Sequence, residues 1–144
     1  MIINKHKGQS IIEVALIFPL LFFLLLGFFD LGRAIFYYAS LSHAVREVSR
    51  TAIVSNVYLS EARILPENNV LVDLVKEKAI GLNKESFTNI SVTPEPNVGS
   101  FKTVTVSAEY FFDPITPGIQ LIFGEEDGIV LRAESRMWVA PGSQ

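Results

Sequence analysis

The sequence predicts an α+β protein in which one long N-terminal helix packs on a small antiparallel sheet of about three strands, with one short extra helix. Three observations lead to this fold class. An apolar run fills residues 11–29, and a helical period of small and apolar residues follows it to about residue 57. After Gly81 the period changes from 3.6 to 2, which is the spacing of half-buried strands.

Residues 11–29 are long and apolar enough to cross a membrane as a helix. Nineteen residues at about 1.5 Å each extend roughly 28 Å, close to the thickness of the hydrocarbon core of a bilayer. Glu13 opposes insertion by about 2.5–3.5 kcal/mol at most, and the Leu, Ile, Phe and Val side chains outweigh it at about −0.3 to −0.6 kcal/mol each. Pro19 removes one backbone hydrogen bond, so we expect a kink or a loosened turn there.

The charges that flank the apolar run predict its orientation. Lys5 and Lys7 precede the run, whereas Asp30 and Arg33 nearly cancel each other behind it. Because positive flanks stay in the cytoplasm, we expect the N-terminus inside and everything after residue 30 outside. A cleaved secretory signal peptide is the alternative, but its apolar core is usually only about 7–15 residues long and ends in a small-residue site, which GFFDLGRAIF does not offer.

The helical pattern continues beyond the membrane. No proline or glycine interrupts residues 33–57, so we predict one helix over residues 9–57 whose outer half packs one face on the protein's own sheet. That face carries Leu41, Ala44, Val45, Val48, Ala52 and Ser55. Near the membrane exit, five aromatic side chains are expected either in an interfacial belt or in helix packing, namely Phe28, Phe29, Phe36, Tyr37 and Tyr38.

Residues 58–144 form the predicted outer domain. Residues 55–69 lose the helical period and are expected to be a connection. A short amphipathic helix follows over about residues 70–80, with Asn69 as its cap and Gly81 at its C-terminal end.

Three alternating segments then predict strands around residues 89–93, 103–112 and 129–139. The turn-rich segment PEPNVGS, residues 94–100, predicts a hairpin loop between the first two strands. Residues 113–128 contain two prolines and an apolar patch, and they predict a long excursion that forms a short helix, an interaction loop or both. Its role is either contact with a partner or a cap over the sheet edge.

The start of the chain resembles the processing signal of type IV prepilins. A basic leader ends in Gly8, Gln9 follows, and Glu13 is the fifth residue after the glycine. More narrowly, GQSIIEVALIFPLLFFLLLGFFDLGRA, which includes Pro19, and SHAVREVSRTA at residues 42–52 resemble the TadE-like pseudopilins or minor pilins of tight-adherence (Tad, type IVc-like) pili. The major Tad pilin is far shorter than this chain, so a minor or accessory subunit is the better match.

This resemblance implies a processing route and a set of partners. A prepilin peptidase would cut between Gly8 and Gln9, which makes residues 1–8 a cytoplasmic leader. Glu13 would pair with the N-terminal amine of a neighbouring subunit during assembly, or it would simply reach the headgroup region. The implied partners are the membrane, the peptidase, other pilin or pseudopilin subunits and the Tad assembly platform. The implied location is the cytoplasmic (inner) membrane, with incorporation into extracellular pili.

Composition argues against other classes of function. The chain has no cysteine, and its two histidines, His6 and His43, provide neither a metal ligand set nor a catalytic triad. We therefore expect no enzyme, no catalytic residue, no metal and no cofactor. The acidic run at residues 125–127 lacks the spacing of a calcium loop and reads as a solvated turn. Without residues 1–8 the chain has ten basic and fifteen acidic residues, which argues against nucleic-acid binding.

Two functions share this topology. The first is a structural minor pilin of a Tad-type pilus, involved in assembly, priming or adhesion. The alternative is an uncleaved single-pass membrane-anchored accessory or sensor protein with an extracytoplasmic binding domain. The spacing of Gly8 and Glu13 favours the first function, since a simple anchor needs neither residue at that position.

Overall fold

The computed structural model describes residues 5–54, 70–98, 101–117 and 128–139. In chain order, the elements are α1 (Lys5–Val54), α2 (Val70–Lys78), a 3-10 turn (Lys84–Ser86), β1 (Phe87–Val98), β2 (Phe101–Phe112) and β3 (Ile129–Val139). The predicted α+β class, with a long helix, a short helix and a three-stranded antiparallel sheet, is confirmed.

Helix α1 begins at Lys5, four residues before the predicted start. Gly8 does not stop it, because one glycine in a helix costs only about 1 kcal/mol relative to alanine. Pro19 lies inside the helix without ending it, and a kink at that residue stays a prediction. At the other end, residues 55–57 of the predicted helix lie outside the described residues.

The two halves of α1 have opposite environments. Side chains of residues 11–29 are mostly exposed on every face of the helix, as in Leu16 at 77% and Leu20 at 71%. An apolar helix that the described protein leaves uncovered fits a single-pass membrane anchor. In the outer half, the predicted face is buried as expected, with no solvent exposure at Leu41, Ala44, Val45, Val48 and Ala52.

The sheet has the order β1-β2-β3, and both neighbouring pairs are antiparallel. The central strand β2 alternates as predicted, because every second residue is buried in the core that α1 and α2 complete. These buried residues are Val104, Val106, Ala108, Tyr110 and Phe112. Strand β2 ends at the same level as the start of the outer half of α1, where Phe112 lies against Tyr37.

The predicted hairpin loop at residues 94–100 is wrong over most of its length. Strand β1 continues to Val98, with Pro94 opposite Val104 and Val98 opposite Phe101. Strand β1 lies at an edge of the sheet, where proline is tolerated at positions whose N–H would point away from the neighbouring strand. The pairing of β1 with β2 shifts register between Glu95 and Val98, which is typical of a β-bulge. Residues 99–100 lie outside the described residues.

Helix α2 ends at Lys78, two residues before the predicted end, and a turn follows it. Gly81 closes this turn with a φ of +81°, in agreement with its predicted place at the helix end. A Cβ atom at Gly81 would also lie 3.0 Å from the Phe36 ring, so the turn approaches α1 closely. The predicted connection at residues 55–69, its cap Asn69 and the apolar patch at residues 119–123 lie outside the described residues.

Candidate functional site

The predicted site residues at the N-terminus follow one another along α1. Gly8 lies within the helix, and Gln9, Glu13 and Pro19 are exposed. Gln9 and Glu13 are four residues apart, so they share a face of the helix at a Cβ separation of about 6 Å. An amine created at Gln9 by cleavage would therefore lie about one helical turn from the Glu13 carboxylate.

No other part of the described chain reaches this segment. Within residues 5–54, 70–98, 101–117 and 128–139, Glu13 forms neither a hydrogen bond nor an ion pair. Its neighbours Ile12 and Val14 are 68% and 61% exposed, so the carboxylate sits in an apolar surface without cover. The geometry leaves Glu13 open to groups outside this chain, and its pairing role stays a prediction, as do the cleavage site at Gly8 and Gln9 and the kink at Pro19.

A second constellation lies where the apolar half of α1 ends. Phe29 is 71% exposed, whereas the next residue, Asp30, is only 2% exposed. The Asp30 carboxylate accepts hydrogen bonds from the segment that follows β2, residues 113–117, which we call the junction loop. Ile115 N donates to Oδ1 at 3.0 Å, while Thr116 N and Thr116 Oγ1 donate to Oδ2 at 2.7 and 2.6 Å.

Arg33 completes the junction on the next turn of α1. Its Nη1 donates to Asp30 Oδ1 at 3.1 Å, and its Nη2 donates to the backbone oxygen of Asp113 at 3.5 Å. The guanidinium carbon lies 5.1 Å from the Phe112 ring centroid and 5.6 Å from that of Tyr37. These distances are typical of cation–π contacts, so one positive charge bridges a carboxylate, two aromatic rings and the junction loop.

Aromatic rings extend the junction into the core. Tyr37 meets Phe112 and Tyr110 edge to face, at centroid distances of 5.7 and 5.6 Å, and Phe87 meets Tyr110 in the same way at 5.3 Å. The Tyr110 hydroxyl accepts a hydrogen bond from Asn83 N at 3.3 Å. Tyr37 therefore packs in the core rather than in an interfacial belt. The other four aromatic residues of the expected belt, Phe28, Phe29, Phe36 and Tyr38, are exposed.

Two opposing effects act on the charge of Asp30, which lies just beyond the apolar run. Burial raises the pKa of Asp30, but hydrogen bonds from Thr116 and Ile115 and the positive charge of Arg33 outweigh that effect. The pKa of Asp30 consequently lies below its ordinary value of 3.8. The carboxylate is therefore ionised at neutral pH and acts as a multiple hydrogen-bond acceptor rather than as a general acid or base.

The described residues do not form a metal centre. Within the part of the chain that the structure describes, no three His, Asp or Glu side chains lie close enough together to hold an ion. The acidic run at residues 125–127 lies outside that part. The expectation that the protein needs no metal or cofactor stays a prediction.

Sequence reasoning missed the role of Asp30. It paired Asp30 with Arg33 only as balanced flanking charges, and their spacing of three residues does permit the observed ion pair. Nothing in the local sequence indicates that the junction loop, 85 residues further along the chain, would supply three donors. The one available signal was an acidic residue at the end of an apolar run, where a charge is costly unless it is paired.

Comparison with known protein families gives a match to the N-terminal part of this chain. The profile described as TadE-like protein matches residues 8–50, which include Gly8, Glu13, Pro19, Asp30 and Arg33. The resemblance predicted from the sequence is therefore confirmed over that segment, which is under a third of the chain. The match supports a pilin-like protein associated with Tad pili, a structural rather than an enzymatic family. Neither curated proteins nor solved structures yield a significant match.

We predict that Asp30→Asn destabilises the outer domain. The amide cannot accept from all three loop donors as an ionised carboxylate does, so we expect a loss of about 2–3 kcal/mol in the free energy of unfolding. The measurement is urea unfolding of the full chain in detergent micelles. Unfolding is monitored by the fluorescence of Trp138, the only tryptophan. Asp113→Asn is the matched control, because that side chain is exposed on the same loop. Equal stabilities of the two variants would contradict the role of Asp30.

The stabilising effect of Asp30 should also depend on pH. A carboxyl whose pKa is lowered on folding adds stability above its ordinary value of 3.8, and that stability is lost as the pH falls through the lower folded value. The difference in unfolding free energy between the unsubstituted chain and Asp30→Asn should be full well above pH 3.8 and should shrink as the pH falls below 3.8. A difference that stays constant or grows on acidification would show that the charge of Asp30 is not what stabilises the junction.

Proposed function

We propose that this chain, with its TadE-like segment at residues 8–50, is a minor pilin of a Tad-type pilus. The observation that carries the proposal is that the family match begins at Gly8 and covers a helix that the described protein leaves exposed over its apolar half. In this proposal a prepilin peptidase removes residues 1–8 in the cytoplasm. Residues 11–29 then hold the mature chain in the membrane, with the sheet domain on the outer side.

Three physical features support this function. The first is the apolar helix surface, which needs lipid or other apolar helices around it because water would solvate it poorly. The second is Glu13, an exposed carboxylate one turn from the proposed new N-terminus at Gln9. An ammonium group from a neighbouring subunit would neutralise Glu13 in a low-dielectric setting, where an unpaired charge is expensive. The third is the sheet domain, which is joined to the same helix and would be displayed outside the membrane.

Assembly then follows from the geometry of α1. A single helix that is apolar at one end and domain-bound at the other can leave the bilayer only if other helices replace the lipid around it. Pairing between Glu13 and a neighbour's amine would set the axial register between two such helices. The Tad assembly platform and other pilin subunits are the partners that this route requires. Adhesion or priming by the sheet domain would follow incorporation.

We predict that processing requires Gly8. Gly8→Arg should block cleavage by placing a long charged side chain at the scissile bond, and the measurement is the N-terminal sequence and intact mass of protein from cells with and without the prepilin peptidase. His6→Arg is the control, since it adds charge to the leader away from the bond. A mature chain that begins at Gln9 only when the peptidase is present would support the proposal. Full-length protein in both strains would favour the uncleaved membrane anchor.

We also predict that Glu13→Gln separates membrane insertion from assembly. Insertion should be kept or improved, because removing a charge lowers the cost of transfer into lipid. The amount of the protein in sheared pili should fall by at least about tenfold, which corresponds to 1.4 kcal/mol. Glu47→Gln, the same change on the outer half of α1, is the control and should not alter incorporation. Unchanged incorporation of Glu13→Gln would refute the pairing role.

A further inference from the structure

In the proposed topology, the junction loop lies at the level where α1 leaves the membrane. Its residues Ile115 and Thr116 donate backbone hydrogen bonds of 3.0 and 2.7 Å to Asp30. Asp30 directly follows Phe29, the last residue of the apolar run. Because these bonds are short, the loop cannot lie further from the end of the hydrocarbon core than about one turn of the helix, roughly 5 Å.

At Ile115 and Thr116, the polar groups of the loop form hydrogen bonds to Asp30, and the side chain that stays exposed is apolar. Thr116 donates both its backbone N–H and its hydroxyl to Asp30. The guanidinium of Arg33 is occupied by Asp30, by the backbone of the loop and by two aromatic rings. Ile115, by contrast, directs its side chain outward and is 64% exposed. On the helix at nearly the same level, Phe29 and Leu31 are 71% and 56% exposed.

We propose that the junction loop is a second membrane contact, in which Ile115 inserts into the boundary between lipid headgroups and acyl chains. The proposal rests on the membrane anchor of the proposed function. A lone exposed isoleucine on a soluble protein needs no explanation. Here the interfacial layer extends about 5–7 Å beyond each side of the hydrocarbon core, so it includes the level of Asp30 and of the loop bonded to it.

Lipid fits this surface better than a charged or polar partner does. Three exposed side chains at this level, Ile115, Phe29 and Leu31, are apolar, as are most of the exposed side chains of residues 11–29. In the described part of the loop, the exposed ionisable side chain is the acidic Asp113, which anionic headgroups would repel. The contact is therefore apolar, and it should form on zwitterionic lipid and be insensitive to salt.

This second contact would restrain the orientation of the sheet domain. A single helix allows the domain to rotate about the helix axis and to tilt with it. A loop that touches the bilayer on one side of α1 favours the rotation that places Ile115 in the interface. The Asp30 hydrogen bonds would then couple the loop and the end of β2 to the helix. The depth of the helix in the membrane would therefore determine the depth of the loop.

The absence of cysteine permits a direct test. The full chain with Ile115→Cys carries one environment-sensitive fluorophore and is reconstituted in phosphatidylcholine vesicles that contain lipids with a spin-label quencher near the headgroup. Phe29→Cys marks the membrane end of α1. Val54→Cys is the matched control, because Val54 is also apolar and 84% exposed, and it lies 24 residues, or about 36 Å, beyond Asp30 along the helix.

We expect quenching at Ile115→Cys to exceed that at Val54→Cys by at least about threefold and to be unchanged by added salt. Quenching equal to that of Val54→Cys would overturn the lipid contact. A blue-shifted but unquenched label would mean that protein, such as a second copy of this chain, covers Ile115, and it would also overturn the proposal. If Phe29→Cys were unquenched as well, the failure would lie in the membrane anchor itself.

Discussion

One buried carboxylate joins the long helix to the loop that follows strand β2. Asp30 is the point at which α1 changes from an apolar rod to the support of a folded domain, and it accepts three hydrogen bonds from the junction loop and one from Arg33. An ionised group that is 2% exposed is tolerated only because each of its oxygens has partners. These bonds hold the end of β2 against the helix, and the rings of Tyr37, Phe112 and Tyr110 pack on that fixed arrangement.

The junction also separates two kinds of surface on a single helix. Over residues 14–29, α1 is apolar on all sides and is mostly exposed within the described chain. After Asp30, one face of the same helix packs in the hydrophobic core, where Leu41, Val45 and Val48 are fully buried. The exposed apolar half of α1 fits a single-pass membrane anchor, while the other half packs on the sheet.

Much of the fold could be predicted from the sequence because it rests on local periodicity. The apolar run, the buried stripe of α1 and the alternation along β2 each follow from the spacing of side chains on a helix or a strand. The predicted hairpin loop at residues 94–100 is wrong because Pro94 and Pro96 are typical of turns, whereas both residues lie in strand β1. Whether a proline ends a strand depends on whether its missing N–H would face a neighbour, and that is a property of the sheet order.

The sequence by itself determined the membrane-length helix, the TadE-like motif at its start and the α+β class of the domain that follows, because each is written in the spacing of residues close together in the chain. Only the tertiary structure decided that Asp30 is buried, that Arg33 stacks on Phe112 and Tyr37, and that Ile115 lies beside Asp30 at the end of the apolar run. The contacts of Arg33 with Phe112 and of Asp30 with Ile115 join residues 79 and 85 positions apart, and no local pattern encodes which distant backbone N–H a carboxylate will meet.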